Sequence, residues 1–101
     1  MIVRRRYSEL VRRQLELFEL DNAALLAECD EALRAYDTGP RDEAEERYAA
    51  YDDLLDTGRE LLAEIRDGYA RSLEEPEEYL VAFDRAAAKR FPRLAAGLPD
   101  V

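Results

Sequence analysis

Apolar side chains recur every three or four residues along almost the whole chain, which is the spacing of one face of an α-helix. The first stripe predicts a helix over residues 5–36 that only Asn22 interrupts. The sequence Asp37-Thr38-Gly39-Pro40 should end it, because Gly suits a helix C-terminus and Pro the first turn of the next helix. The stripe consists of Tyr7, Val11, Leu15, Phe18, Leu25, Cys29, Leu33 and Tyr36.

A second stripe predicts a helix over residues 40–73. Its spacing alternates between four and three residues, the heptad pattern of left-handed helix pairs. Thr57 and Glu60 have the spacing of a capping box, so a break at Asp56–Gly58 stays an alternative. The heptad register continues through this point, which favours one unbroken helix. The stripe consists of Ala44, Tyr48, Tyr51, Leu55, Gly58, Leu62, Ile65, Tyr69 and Ser72.

The third stripe predicts a shorter helix over residues 76–91, followed by a short tail to residue 101. Pro92 should kink or end this helix, because its ring clashes with the preceding turn. No segment alternates in the manner of a β-strand. We therefore expect a single all-α domain over residues 1–101, with a third stripe of Leu80, Phe83, Ala87, Phe91 and Leu94.

The helix lengths predict how the three helices pack. A short connection makes the two long helices a coiled-coil-like antiparallel hairpin, and the third helix folds back along the N-terminal half of the first. We expect it to cover Leu10, Leu17 and Leu20, which widen the apolar face only there. The prediction is a three-helix bundle over half of the hairpin.

The other half of the hairpin would then lack a third helix. Contiguous exposed apolar patches mark interaction surfaces. The economical solution is a twofold dimer in which two hairpin ends form a four-helix bundle, and the alternative is a different helical protein at the same place. The predicted interaction surface consists of Leu25, Leu26, Cys29, Leu33, Tyr36, Tyr48, Tyr51 and Leu55.

Composition removes several classes of function. The chain has 101 residues, one Cys, no His and a formal net charge of −9. It therefore has no intrachain disulfide, no His-based catalysis and no His metal ligand. Neither a cofactor nor a small-molecule substrate is indicated. Charged residues such as Glu9 and Glu16 interrupt what would be the apolar part of a signal peptide, so we expect a cytoplasmic protein.

One basic cluster stands out against this acidic background. Residues 1–13 hold five arginines and one glutamate. They suit phosphates or an anionic membrane surface, although the net charge argues against nucleic acid. The competing interpretation docks these arginines against the acidic turn at Glu74–Glu78. The candidate anion-binding residues are Arg4, Arg5, Arg6, Arg12 and Arg13.

Two short motifs invite an enzymatic interpretation. Asp37-Thr38-Gly39 and Asp56-Thr57-Gly58 resemble the active-site tripeptide of aspartic proteases. In that family the Asp follows an apolar β-strand and a small residue follows the Gly. Here Pro40 and Arg59 follow in helical surroundings, so we interpret both tripeptides as turn and helix-terminus chemistry.

A dimeric helical mutase of the chorismate type offers the other enzymatic interpretation, on size and helicity alone. It would need cations inside the bundle. The sequence places none there, since the long cations within the first two helices fall outside the stripes, among them Arg12, Arg13, Arg34, Arg47 and Arg66. We therefore predict a non-enzymatic interaction module that self-associates, with an anion-binding regulator as the alternative.

Overall fold

The computed structural model describes residues 6–99, and 83% of them lie in helices. No strand occurs within these residues, so the predicted all-α class is confirmed. A single 3-10 turn, Arg41–Glu43, precedes the longest helix. The α-helices are α1 (Ser8–Asp21), α2 (Ala23–Thr38), α3 (Ala44–Ala70), α4 (Glu77–Arg90) and α5 (Pro92–Ala95).

The first predicted helix is two helices, because the backbone changes direction at Asn22. This residue has φ −120° and ψ 26°. Its side-chain Nδ2 donates to the carbonyl of Phe18 at 2.9 Å, the acceptor that its own backbone N–H also uses. Such a side-chain bond competes with regular helix geometry. The predicted start at residue 5 lies outside the described residues, and α2 continues to Thr38, two residues beyond the predicted end.

The long helix α3 is unbroken through Gly58, as its heptad register predicts. A Cβ on this glycine would lie 2.9 Å from Cδ2 of Leu94, so the C-terminal part of the chain approaches α3 closely here. The helix starts four residues later than predicted, because residues 41–43 form the 3-10 turn. It ends at Ala70 rather than at residue 73, where shorter turn bonds replace the helical ones.

Pro92 separates α4 from α5. The residue before a proline is restricted to non-helical backbone, and Phe91 has φ −132° and ψ 67°. The helix α4 therefore ends at Arg90, and Pro92 occupies the first position of α5, where its missing N–H is not needed. The prediction that Pro92 ends the third helix agrees with this geometry.

Ring contacts give the relative directions of the helices. Tyr7 meets Tyr79 at 5.6 Å between ring centroids and Phe18 meets Phe91 at 5.3 Å, so α1 and α4 run in the same direction. Tyr69 of α3 meets the beginning of α4. Helix α2 packs mainly along α3. The side chains at most 2% exposed that form the apolar core are Val11, Leu15, Phe18, Leu62, Tyr79, Phe83 and Ala87.

This core defines two regions of the molecule. The covered half consists of α1, α4 and the C-terminal half of α3, and it holds all seven of those side chains. The tyrosine end consists of α2 and the N-terminal half of α3. It takes its name from the contacting rings of Tyr36, Tyr48 and Tyr51.

Two leucines lie where the sequence did not predict them. Leu17 and Leu20 were expected beneath the third helix, but they are 59% and 75% exposed. Helix α4 instead packs on the face of α1 that carries Val11 and Leu15. At 100° per residue, Leu17 and Leu20 point away from that face.

Candidate functional site

The predicted interaction surface is partly buried within one chain. Cys29, Tyr51 and Leu55 are only 6%, 3% and 6% exposed. Other apolar members of the surface remain accessible to solvent, and Tyr48 is 48% exposed. The half-buried members are Leu25, Leu26, Leu33 and Tyr36.

A segment from the C-terminal part of the chain contacts this surface, for which the sequence predicts that a third helix is lacking. Residues 90–94 line a cleft of about 330 Å³ together with α2 and α3. Nη1 of Arg93 donates to the hydroxyl of Tyr51 at 3.2 Å. The segment reaches the part of the tyrosine end next to the end of α4, because the chain turns at Pro92. Five of the eight predicted surface residues line this cleft: Leu26, Cys29, Leu33, Tyr51 and Leu55.

Three tyrosines form an edge-to-face row at the tyrosine end. The rings of Tyr36 and Tyr48 lie 5.2 Å apart at 64°, and those of Tyr48 and Tyr51 lie 6.0 Å apart at 65°. Aromatic pairs prefer this geometry. The row joins α2 to α3 and leaves Tyr48 at its outer edge, where an amphipathic ring suits an interface.

Cys29 is a buried thiol at the base of the cleft. Burial raises its pKa, and the negative charges of Asp30 and Glu28 raise it further. The neutral thiol is therefore the stable form, and a neutral thiol is a poor nucleophile. Its role is that of a small apolar side chain, as the sequence predicts.

Two arginines of α3 hold the C-terminal segment by its backbone. Arg59 donates from Nε to the carbonyl of Leu94 at 3.3 Å and from Nη2 to the carbonyl of Arg93 at 3.1 Å. Seven residues further along α3, about two helical turns, Arg66 donates from Nη2 to the carbonyl of Pro99 at 2.6 Å. These bonds tie residues 93–99 to the helix.

The burial of Arg66 contradicts its placement outside the core stripe. It is 1% exposed. Its Nε lies 2.9 Å from Oδ1 of Asp67, and its Nη1 lies 3.0 Å from Oδ1 of Asp84. Burial lowers the pKa of this guanidinium, but the two aspartates outweigh burial and raise it overall, so the group stays charged. Arg59 and Arg66 lie one heptad apart, so the sequence places both on the same face of α3. This spacing is the sequence signal that links the two arginines.

Within the described part of the basic cluster, Arg12 is neutralised by carboxylates of its own helix. Arg12 pairs with Glu9 and lies 2.7 Å from a carboxylate oxygen of Glu16. The hydrogen bond from Arg12 and its charge hold the pKa of the Glu9 carboxyl below its usual value. Arg13 is exposed. An arginine that bridges two carboxylates on its own helix offers little net charge to a phosphate.

Arg6, the remaining described arginine of the cluster, lies beside the acidic turn. The guanidinium carbon of Arg6 sits 5.3 Å from the ring centroid of Tyr7. Both residues line one cleft with the acidic turn at Glu74–Glu78. Arg4 and Arg5 lie outside the described residues. Arg12 pairs with carboxylates of its own helix and Arg6 lies beside the acidic turn. These contacts are more consistent with docking inside the chain than with an extended basic arm.

No group of three or more potential metal ligands occurs among residues 6–99, and no helix there is long and apolar enough to cross a membrane. The sequence matches no protein-family model, and it resembles neither a curated protein nor a solved structure at a significant level. The candidate site is therefore defined by its own geometry.

Proposed function

We propose that this protein is a non-enzymatic interaction module that self-associates through the tyrosine end. In this proposal α2 and α3 form an antiparallel hairpin, α4 completes a three-helix bundle over the covered half, and a second copy supplies the missing helices at the tyrosine end. Each copy then buries the apolar side chains that a single chain leaves half-buried. Bundles of four helices are built in this way.

The observation that carries the proposal is the cleft of the tyrosine end. Leu26 and Leu33 lie one heptad apart on α2 and line it, but their own chain buries each only in part. The cleft begins where α4 stops and the chain turns at Pro92. A partner's apolar side chain in this cleft would contact these two leucines. The same partner would contact Tyr48 at the outer edge of the tyrosine row.

The test is the solution mass of the protein, measured by light scattering after gel filtration at low and high salt. We expect a dimer that persists at high salt, because apolar contacts are not screened by ions. Leu33→Asp should give a monomer, because it places a charge in the proposed interface. The matched control is Leu20→Asp, the same change at a leucine that is 75% exposed on α1, and it should stay dimeric.

A monomeric wild-type protein contradicts the proposal, and so does a dimer that survives Leu33→Asp. The alternative remains a regulator that binds an anionic partner through residues 4–13. A salt-sensitive mobility shift with random DNA would support it. Replacing Arg4, Arg5 and Arg6 should leave the dimer intact if self-association uses the tyrosine end.

A further inference from the structure

A second apolar surface lies between α1 and α4. The α1/α4 groove has a volume of about 600 Å³. Val11 and Leu15 of α1 form its base, and Ala82 and Ala86 of α4 form its side. Val81, which is 56% exposed, adds an apolar lip. Because alanines leave room between parallel helices, the groove has the shape that accepts a further helix.

The α4 side of this groove carries two uncompensated cations. Arg85 and Lys89 are exposed and line the groove, and neither pairs with a carboxylate among residues 6–99. They lie four residues apart on α4, where like charges repel each other. Arg90 differs, because it lies 2.6 Å from a carboxylate oxygen of Glu19. In a chain with a net charge of −9, this is a local site that favours an anion.

The two ends of the groove have opposite charge. Glu77 and Glu78 lie at the beginning of α4, and Arg85 and Lys89 lie in its second half. A helix has a positive N-terminus and a negative C-terminus. A helix in the groove is therefore favoured with its N-terminus near the two glutamates, in the same direction as α4.

We propose that the α1/α4 groove binds an amphipathic helix of another protein. Its apolar face, with anchors at positions i, i+4 and i+7, packs on Ala82 and Ala86. Its C-terminal half carries Asp or Glu side chains that pair with Arg85 and Lys89. The groove follows the 14 residues of α4, which is about 20 Å and four helical turns. A small acyl ligand would need a more enclosed pocket, since such ligands bury most of their surface.

The experiment measures binding of two labelled synthetic helices by fluorescence anisotropy. Each has about 16 residues and leucines at helical spacing, and one carries Glu in its C-terminal half where the other carries Lys. We expect the acidic helix to bind at least roughly tenfold more tightly, because only it complements the rim. The double variant Arg85→Glu, Lys89→Glu should reverse this preference.

The matched control makes the same charge change at two exposed arginines away from the groove, Arg34→Glu on α2 and Arg41→Glu in the 3-10 turn, and it should leave the preference unchanged. A second variant, Ala82→Phe, fills the groove and should abolish binding of the acidic helix. Circular dichroism checks that each variant folds. The charge variants change only exposed side chains, so they test the proposal even if Ala82→Phe does not fold.

Three results would overturn the proposal. The first is equal binding of the two helices, or no binding of either. The second is binding of dodecanoate in place of the acidic helix, which would make the occupant a single acyl chain. The third is a change in the oligomeric mass on Arg85→Glu, Lys89→Glu, which would place a second copy in the groove. Because these residues lie outside the tyrosine end, the first two results leave the proposed self-association untouched, whereas the third would move it to the groove.

Discussion

Leu33 belongs to the first long apolar stripe and Leu62 to the second, yet their surroundings differ. Leu62, in the covered half, is 0% exposed and belongs to the buried core cluster. Leu33, at the tyrosine end, is half-buried because only α3 and the turn after α4 reach it. The comparison shows that an apolar stripe specifies which side of a helix faces inward, whereas the number of neighbouring helices decides how completely it is buried.

The position of one proline produces this difference. A longer α4 would continue past Phe91 along α3 and enclose the tyrosine end as well. Pro92 ends it, and the short α5 packs on α3 at Gly58 instead. The covered half therefore has a closed core, and the tyrosine end has a cleft.

Truncation of the two leucines should give the largest difference between the halves. Leu62→Ala should lower the free energy of unfolding by about 2–5 kcal/mol, the range for a fully buried leucine. Leu33→Ala should cost about 1–2 kcal/mol in the monomer, because its side chain is already partly solvated. Urea denaturation at low protein concentration measures both. Equal losses would show that the two halves are packed equally well.

Arg66→Met should be the next largest effect. Removing the guanidinium leaves the carboxylates of Asp67 and Asp84 and the carbonyl of Pro99 without their shared donor. Loss of one partner of a buried ion pair costs about 3–5 kcal/mol, and we expect about 3 kcal/mol because the side chain of Asp84 is 52% exposed.

The control for Arg66→Met is Arg34→Met, which removes an exposed arginine from α2 and should change the free energy of unfolding by less than about 0.5 kcal/mol. A similar small change for Arg66→Met would contradict the role of this arginine in holding the C-terminal segment.

Alkaline pH should destabilise the covered half through Tyr79. Its hydroxyl donates to Oε1 of Gln14 at 2.9 Å, and burial raises its pKa to about 12. The folded state holds this proton more tightly than the unfolded state, whose tyrosine pKa is about 10. The resulting stabilisation is complete below about pH 10 and is lost as the pH rises toward 12, by about 2–3 kcal/mol.

Denaturation curves of wild type and Tyr79→Phe between pH 9 and 12 isolate this effect. The variant should lose less stability over that interval, although it starts about 1 kcal/mol lower because the hydrogen bond to Gln14 is gone. Parallel curves for the two proteins would refute the assignment.

The two glycines of α3 should give the smallest effects. A Cβ at Gly68 meets nothing closer than Nη2 of Arg71 at 3.9 Å, so Gly68→Ala should stabilise the protein by about 0.5–1 kcal/mol through helix propensity. At Gly58 the same gain is offset because Leu94 must move aside. We expect a net change within about 0.5 kcal/mol of zero. Thermal melts of both variants show whether the contact at Gly58 is as close as the geometry indicates.

Periodicity predicted what depends on local sequence. The three apolar stripes, the unbroken register through Gly58 and the stop at Pro92 each follow from a few neighbouring residues, and the structure contains them. Asn22 interrupts the first stripe in the sequence, but its bond to the Phe18 carbonyl depends on a side-chain rotamer that a pattern of apolar positions does not encode.

What the sequence did not predict depends on long-range contacts. Arg66 follows a stripe residue and looks like a solvated cation until Asp84 and the carbonyl of Pro99 arrive from distant parts of the chain. The exposure of Leu17 and Leu20 likewise depends on which side of α1 is chosen by α4. Tertiary packing determines which side of a helix contacts its neighbours. The apolar pattern of α1 alone is compatible with either side facing α4.

The arginine bonds to the C-terminal segment also set an order of events during protein synthesis. Arg59 and Arg66 leave the ribosome with α3, but the carbonyls they bind belong to residues 33 to 35 positions later in the chain. Until those residues are synthesised, their carbonyls cannot compensate the guanidinium of Arg66 for the loss of hydration on burial. A nascent chain should therefore hold α1, α2 and α3 in loose association and acquire its closed core only after residues 93–99 have been synthesised.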